Sequence, residues 1–370
     1  MPDHLSVVEG ERELSVHSTD RPARSRVRDL PQIFFSAASD TENQAGERLA
    51  RRIHALDVRT PYVVASRHGR GLVEGLGQRL VSEAAPYSAD QVWARGLARR
   101  VHASGADAVV GIGGGRCLDV AKLAASIARL PFIAVPTQIS HDGICSPVAV
   151  VPDDVSTRAT VPVAGPQGVF ISIPTLMTAP LASVRAGIGD ILSNPLALRD
   201  WELAATLGLD DIDRAGWELS VESFQLIESI LHRDVAEAHE DPEVVTLLAN
   251  ALVVSGMSMM IAESSRPASG AEHKISHAID EVLGGRALHG QQVAFGCIIS
   301  AALHGEDPQE WRRLLRRLGL PDHPRDLSLT EDELVAVILA APATRPRFTV
   351  LEHVGMDHSA VRRLVRSIWS

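Results

Sequence analysis

The sequence predicts an α/β protein in which a doubly wound parallel sheet is followed by an all-helical domain. Between residues 30 and 178, short apolar runs of strand character alternate with amphipathic helical stretches, as in a parallel sheet with helical crossovers. From Thr178 onward strand signals nearly stop, and helical periodicity continues to the end. A chain of 370 residues is long enough for two domains. We therefore expect a loose polar extension, a sheet domain and a helical domain, with the boundaries 1–29, 30–178 and 179–370.

Composition and charge restrict the class of protein. Apolar residues make up 45% of the chain, with no run long enough to cross a bilayer and no leader pattern, so we expect a cytoplasmic enzyme. A net charge of −10 argues against nucleic-acid binding and requires any anion site to be locally positive. The three cysteines lack metal-binding spacing. Only two of the 36 basic residues are lysines, Lys122 and Lys274, which suggests a specific use for an ammonium group at one or both.

The elements of the sheet domain follow one another in a regular order. PQIFFS and PYVVAS are predicted strands, and TENQAGERLARRIHAL between them is a predicted helix. GLVEGLGQRL and ADQVWARGLARRVHAS are two further predicted helices, and DAVVGIGG is the next strand. Later in the domain, SPVAVVP and RATVPVAG indicate an antiparallel hairpin with a polar tip at Asp153 and Asp154, and VFISIP is one more strand.

A glycine-rich turn joins the strand that starts at Ala108 to a helix predicted to begin near Leu118. Such a turn exposes backbone N–H groups and the positive end of the helix dipole, which together bind a diphosphate. The run GIGGGR departs from the G-x-G-x-x-G fingerprint because its sixth position is Arg116, and it is not a P-loop. A plain tight turn would also account for the glycines. We interpret the run as a phosphate-binding cradle.

A polar segment, TQISHDGICS, follows the predicted buried strand Pro131 to Pro136. Polar side chains at the carboxyl end of a parallel strand lie where such sheets bind ligands. Capping of the following turn would explain Thr137 and Ser146, but it explains Asp142 less well.

The helical half contains the residue types of a metal site. Asp190 lies among apolar neighbours in AGIGDILSN, and a buried carboxylate needs a partner. His273 and His277 are four residues apart on one helix face, and His289 follows a Gly-Gly break that lets the chain fold back. Two hydrogen-bonded or surface histidines would give the same pattern. One Asp with two or three His and an open position suits catalytic zinc or ferrous iron.

These motifs together resemble the sn-glycerol-1-phosphate dehydrogenase family, within the larger group of glycerol dehydrogenases, iron-containing alcohol dehydrogenases and dehydroquinate synthases. The resemblance runs from about residue 30 to the C-terminus. It rests on GIGGGRCLDVAK, PTQISHDGICSP, AGIGDILSNPLALRDWELA, SGAEHKISHAID, LHGQQVAFG and RPRFTVLEH. It implies a Rossmann-like N-terminal domain followed by a helical domain, as in dehydroquinate synthase.

The resemblance also implies a role for individual residues. Asp190, His273 and His289 match the metal ligands, with zinc as the first choice and ferrous iron or nickel as alternatives. The implied catalytic and substrate-facing residues are His277, Asp142 and Asp190. The implied contacts to NAD(H) or NADP(H) are Gly113, Gly114, Gly115, Arg116, Cys117, Leu118, Asp119, Thr137, Gln138, Ser140 and Ser146. The chain departs from the family at Gln138-Ile139, where small residues are common, and at Pro174, where the family has Asp.

The implied activity is reduction of the keto group of a small phosphorylated ketose, such as dihydroxyacetone phosphate, by a metal-dependent NAD(P)H oxidoreductase. The metal would polarise the carbonyl oxygen, and His277 or a metal-bound water would pass on the proton. Lys274, Arg185 and Arg266 are possible phosphate partners by their proximity in sequence. The alternatives are a sugar-phosphate cyclase, a dehydrogenase of another polyol and a binding protein that has lost catalysis. We expect a homo-oligomer with no nucleic-acid or membrane partner.

Overall fold

A computed structural model describes residues 30–369, apart from 77–80, 85–88 and 154–157. The predicted N-terminal extension, residues 1–29, therefore lies outside the described residues, as does Asp154 at the predicted hairpin tip. The domain boundary at residue 178 stays a prediction.

The described residues of the sheet domain form eight strands. In chain order they are β1 Gln32–Phe35, β2 Pro61–Ala65, β3 Val81–Ala84, β4 Ala108–Gly113, β5 Phe132–Pro136, β6 Val148–Pro152, β7 Arg158–Pro162 and β8 Gly168–Ile171. Six of them form a parallel sheet in the order β1-β8-β5-β4-β2-β3, while β6 and β7 form a separate antiparallel pair. The predicted hairpin is confirmed. Strands β4 and β5 are buried throughout, which explains their unbroken apolar sequences.

Helices cover both faces of the parallel sheet. The helices of this domain are α1 Glu42–Ala55, α2 Arg70–Leu76, α3 Gln91–Ala103, α4 Gly115–Ala128 and α5 Ile173–Met177. Leu49 of α1 and Leu72 of α2 pack with Val110 of β4 on one face. Leu97 of α3 and Ala121 of α4 pack in the cluster that covers the other face. The doubly wound arrangement predicted from the alternation of strands and helices is therefore confirmed.

The regular elements that the structure describes in the C-terminal half are all helices. Its helices are α6 Leu181–Ile191, α7 Asn194–Thr206, α8 Arg214–Glu228, α9 Val235–Ala238, α10 Pro242–Ile261, α11 Ala271–Leu283, α12 His289–Leu303, α13 Pro308–Leu318, α14 Glu331–Ala340, α15 Val350–Val354 and α16 His358–Trp369. Helix α10 is long and apolar enough to cross a membrane, but most of its residues are buried in the fold, as in the central helix of a helical domain.

One local prediction is wrong, and one strand was not predicted. The helix after the glycine turn begins at Gly115 and not near Leu118, so the third glycine belongs to its first turn. Strand β3, VSEA, was not predicted, because four residues of mixed polarity at the edge of a sheet carry little periodic signal.

Candidate metal centre and cofactor cradle

The three predicted metal ligands converge from three helices. Asp190 lies at the end of α6, His273 in the first turn of α11, and His289 at the start of α12. Their ligand atoms all lie within 4.8 Å of one another. The Nε2 atoms of His273 and His289 are 3.7 and 3.8 Å from the same oxygen, Asp190 Oδ1. Ligands about 2.0–2.2 Å from a zinc ion would be only slightly closer together than this.

The turn between α11 and α12 brings the third ligand to the other two. Helix α11 ends at Gly284, and Gly284 and Gly285 have φ of 75° and 81°, in the left-handed region that favours glycine. The N–H of Gly285 donates to the carbonyl of Ile279 and closes the end of the helix. The chain can then reverse, so that α12 packs against α11 with His289 as its first residue.

The chemistry of the donor set fits a divalent cation. Asp190 Oδ2 accepts a hydrogen bond from the backbone N–H of Asp142 at 2.9 Å, whereas Oδ1 is buried and has no hydrogen-bond partner among the described residues. A buried carboxylate oxygen without a partner is costly, and a bound cation would remove that cost. Burial would lower the pKa of His273, but the carboxylates of Asp190 and Glu272 raise it to about 9. The site therefore favours a positive charge between Asp190 and the two imidazoles.

The second nitrogen of each histidine ligand is held by a neighbouring side chain. His273 Nδ1 donates to Glu272 Oε1 at 3.0 Å, and His289 Nδ1 lies 3.3 Å from Ser276 Oγ. The amide of Gln292 in turn donates to Ser276. These contacts leave each Nε2 facing Asp190, as required of a ligand. Sequence reasoning did not single out Glu272, Ser276 or Gln292, because an acidic or polar residue on a helix is usually exposed.

His277 and Asp142 lie beside the ligand group. The ring centroid of His277 is 5.8 Å from that of His289, and burial together with the nearby positive groups of His289 and Arg345 holds the pKa of His277 well below its usual value. Asp142 Oδ2 accepts a hydrogen bond from Ser255 Oγ at 2.9 Å. Burial and the charge of Asp190 raise the pKa of Asp142 to about 7. A neutral imidazole and a carboxyl that can hold a proton thus adjoin the metal position.

The glycine turn forms an open cradle at the start of α4. Gly114 precedes the helix and makes no side-chain cap, and the start of a helix is a position where proteins commonly bind anions. A β-carbon on Gly113 would lie 2.6 Å from the β-carbon of Cys117, and one on Gly115 would lie 2.4 Å from His141 Nε2. A side chain at Gly113 would therefore collide with Cys117, and one at Gly115 would displace the His141 ring.

His141 connects the cradle to the metal centre. Its Nδ1 accepts from the backbone N–H of Gly143 at 3.0 Å, which leaves Nε2 as the donor, directed at Gly115. On its other side, the ring lies edge-on to His289 with centroids 6.1 Å apart. The sequence analysis quoted His141 in its motif but did not assign it to the site. Its Nε2 lies beside the first turn of α4, next to the predicted phosphate-binding cradle.

The predicted cofactor contacts fall into two groups by the direction of their side chains. Gln138 lies over Gly114 and can face a ligand, whereas Thr137 is as buried as the second group, although its Oγ1 has no hydrogen-bond partner among the described residues. A second group has buried side chains and can contact a cofactor only through the backbone, unless the protein rearranges. This group comprises Cys117, Leu118, Asp119 and Ser146. The assignments of Gly113, Gly114, Gly115, Arg116 and Ser140 to cofactor contacts stay predictions.

Comparison with known proteins identifies the family. A model of iron-containing alcohol dehydrogenases matches residues 43–180. A glycerol-1-phosphate dehydrogenase (NAD(P)+) of Hyperthermus butylicus is 36% identical over 347 residues, 91% of this chain and 97% of that protein. Its counterpart in Cenarchaeum symbiosum is 37% identical over 258 residues, 70% of this chain and 71% of that protein. The chain belongs to the glycerol-1-phosphate dehydrogenase family.

The fold agrees with this membership. A probable glycerol dehydrogenase from Sinorhizobium meliloti superposes with a TM-score of 0.73 at 21% identity, over 92% of this chain and 96% of that chain. The predicted fold class and the predicted oxidoreductase class of this glycerol-1-phosphate dehydrogenase family member are therefore confirmed.

Both lysines of this family member are structural. Lys122 Nζ donates to the carbonyls of Gly143, Ser146 and Val148 at 2.6, 3.1 and 2.9 Å. Three carbonyls match the three donors of an ammonium group, a geometry that a planar guanidinium cannot reproduce. These bonds tie α4 to the loop that carries Asp142. Lys274 donates to the carbonyl of Arg347 at 2.7 Å and forms an ion pair with Glu352.

Two of the three phosphate partners suggested by sequence proximity, Lys274 and Arg266, need correction. Lys274 is buried and already paired. Arg266 is also buried, and it donates to Asp210 at 2.7 Å and to the carbonyl of Phe348 at 2.6 Å. Arg185 lies beside Gly319, which follows α13, and its Nε is buried with no hydrogen-bond partner among the described residues, so its assignment stays a prediction. Proximity along the chain did not predict where these side chains point.

Proposed function

We propose that this protein reduces the keto group of dihydroxyacetone phosphate, or of a closely related small phosphorylated ketose, to sn-glycerol 1-phosphate. The proposed cofactors are NADH or NADPH and one divalent metal, with zinc as the first choice. The observation that carries the proposal is the unpartnered Asp190 Oδ1 facing the Nε2 atoms of His273 and His289. A carboxylate and two imidazoles leave an open coordination position, as in catalytic zinc sites. The names of the relatives give the substrate class.

The residues of the chain divide the chemistry between them. When bound, the metal supplies a Lewis acid to the carbonyl oxygen and the nicotinamide supplies the hydride. Asp142 fixes Asp190 through its backbone N–H, and its own carboxyl is held by Ser255. With a pKa near 7, that carboxyl can hold a proton at neutral pH. His277 is neutral and can accept a hydrogen bond from a substrate hydroxyl. The protonated Asp142 carboxyl can transfer its proton to the product oxygen, and neutral His277 can relay one by taking up a proton at one ring nitrogen as it releases the proton of the other.

Nicotinamide absorbance tests the proposal. The zinc-loaded protein should oxidise NADH or NADPH when dihydroxyacetone phosphate is added, and the product should be sn-glycerol 1-phosphate by chiral analysis. Unphosphorylated dihydroxyacetone serves as the matched control for the phosphate group. Asp190→Asn should abolish turnover while the nucleotide still binds. If the loaded wild-type protein left both nucleotides unoxidised across a panel of phosphorylated ketones, the proposed function would be wrong.

The cyclase alternative is weaker than the reductase. A cyclase needs several cationic side chains around a phosphate, and the structure engages Lys122, Lys274 and Arg266 in other contacts. Phosphate release without net nucleotide oxidation would favour the cyclase.

We also propose that the protein is a cytoplasmic homo-oligomer. Light scattering would test the oligomeric state by measuring the mass of the protein in solution.

A further inference from the structure

The site fixes the direction in which a dinucleotide lies across the sheet. Strand β4 leads into the cradle, and β5 and β2 flank it on opposite sides. The loop after β5 carries Asp142, which reaches Asp190 and so joins the β5 side to the metal centre. The nicotinamide must stand beside the metal, because hydride goes to the carbon whose oxygen the metal polarises. With the diphosphate on the start of α4, the adenosine half must extend over the end of β2.

Ser66 and Arg67 occupy that end of β2. The backbone N–H of Ser66 donates to the carbonyl of Ile112 at 2.8 Å, and the Ser66 β-carbon would be 3.1 Å from a β-carbon on Gly113. The segment therefore adjoins the glycine turn directly. Ser66 Oγ is buried and has no hydrogen-bond partner within the part of the chain that the structure describes. Arg67 is exposed, and its Nε donates to His68 Nε2 at 3.3 Å.

The charge of this segment is positive. Residues 66–71 read SRHGRG and include no acidic residue. In doubly wound sheets the adenosine ribose lies near the end of the neighbouring strand, where a carboxylate accepts the 2′-hydroxyl of NAD and an arginine accommodates the 2′-phosphate of NADP. A guanidinium presents several N–H donors to a phosphate at once, so it binds that group strongly.

We infer that Arg67, assisted by the Ser66 hydroxyl, binds the 2′-phosphate of NADPH, so that the protein prefers NADPH to NADH. The inference rests on the proposed function only in requiring a nicotinamide dinucleotide. One carboxylate, Glu42, also lies beside the segment, against Gly71, and accepts a hydrogen bond from Thr175 at 3.4 Å. If Glu42 instead accepts a hydrogen bond from the 2′-hydroxyl of NADH, the protein should prefer NADH.

Binding without substrate tests the inference independently of turnover. NADPH and NADH are titrated separately into the zinc-loaded wild-type protein and followed by calorimetry, with 2′,5′-ADP and 5′-ADP as fragments that lack nicotinamide. The wild type should bind NADPH and 2′,5′-ADP about tenfold or more tightly than their counterparts, the range expected for a charge-assisted hydrogen bond. Arg67→Gln should remove this preference and change the affinity for NADH less than threefold.

Matched variants separate the charge of Arg67 from general effects. Arg59→Gln removes the same charge at the opposite end of β2 and should leave the preference intact. Arg67→Lys should restore part of it, and melting temperature establishes that each variant is folded. Equal affinity of the wild type for both nucleotides would overturn the inference. So would a preference that survives Arg67→Gln, or a preference for NADH that Glu42→Gln removes.

The outcomes also distinguish this inference from the proposed function. A preference for NADPH that depends on Arg67, in a protein that reduces no phosphorylated ketone, would sustain the inference and sink the substrate assignment. Failure of both nucleotides to bind would overturn the two together. Ketone reduction with equal use of NADH and NADPH would leave the proposed function standing and refute the role of Arg67.

Discussion

Glu272→Gln should weaken zinc binding although Glu272 is not a proposed ligand. Glu272 is fully buried, and its Oε1 accepts from His273 Nδ1 at 3.0 Å and from the backbone N–H of Gly270 at 2.6 Å. Glutamine has nearly the same shape and can still accept both bonds through its carbonyl oxygen. The change therefore removes the negative charge and keeps the packing, so it isolates the electrostatic support that the carboxylate gives to the imidazole.

The expected loss follows from this contact. Removing the partner that orients a histidine ligand typically lowers metal affinity about 10- to 100-fold. That range corresponds to about 1.4–2.7 kcal/mol of binding free energy. Turnover at saturating zinc should recover to near the wild-type rate, because the three ligands and the residues beside them remain.

Competition with a chromogenic zinc chelator at neutral pH measures the effect. Glu237→Gln, the same substitution at an exposed site on α9, is the matched control and should bind zinc as the wild type does. Circular dichroism would establish that Glu272→Gln is folded. A folded variant whose zinc affinity lay within twofold of the wild type would refute the reasoning, since His273 would then not depend on its carboxylate partner.

Three further changes test other parts of the site. His273→Ala should lose zinc and activity together, and metal analysis that found a full complement with normal turnover would exclude His273 as a ligand. His277→Ala should retain zinc while the rate falls about a hundred- to ten-thousand-fold, as expected for loss of acid–base assistance; a metal-free variant would instead make His277 a ligand. Gly115→Val should lower the affinity for NADH at unchanged zinc content, because its side chain would meet His141, and unchanged titration curves would show that the cradle is misplaced.

The candidate residues of the metal centre could be anticipated from sequence because each of them has a local signal. His273 and His277 share a helix face through their spacing, and the glycine pair before His289 indicates a reversal, which the structure contains. Asp190 was recognisable as a charged residue within an apolar helix. Each of these signals depends on a few neighbouring residues, whereas the choice of Asp190, His273 and His289 as the ligand set came from the family resemblance, because their convergence from three helices has no local signal.

The supporting residues could not be anticipated in the same way. Glu272 lies in the first turn of a helix, where an acidic residue commonly interacts with the helix dipole. Its position in the sequence therefore gives no sign that the side chain is buried against His273. Lys274 and Arg266 were assigned to phosphate by proximity, but their partners, Glu352 and Asp210, are 78 and 56 residues away. Contacts at such separation are set by packing of the whole domain. Gly115 was left outside its helix because glycine is a poor helix former.

Burial of Lys122 and Lys274 leaves the folded protein without an exposed lysine side chain for amine-directed reagents. All other basic side chains are arginines, and each lysine is only 1% exposed. An acylating label can therefore modify Lys122 only after the loop bearing Asp142 separates from α4, and Lys274 only after the segment at Arg347 leaves α11. Labelling rates at the two positions, resolved by peptide mass, would follow the opening of two regions at once without an engineered probe.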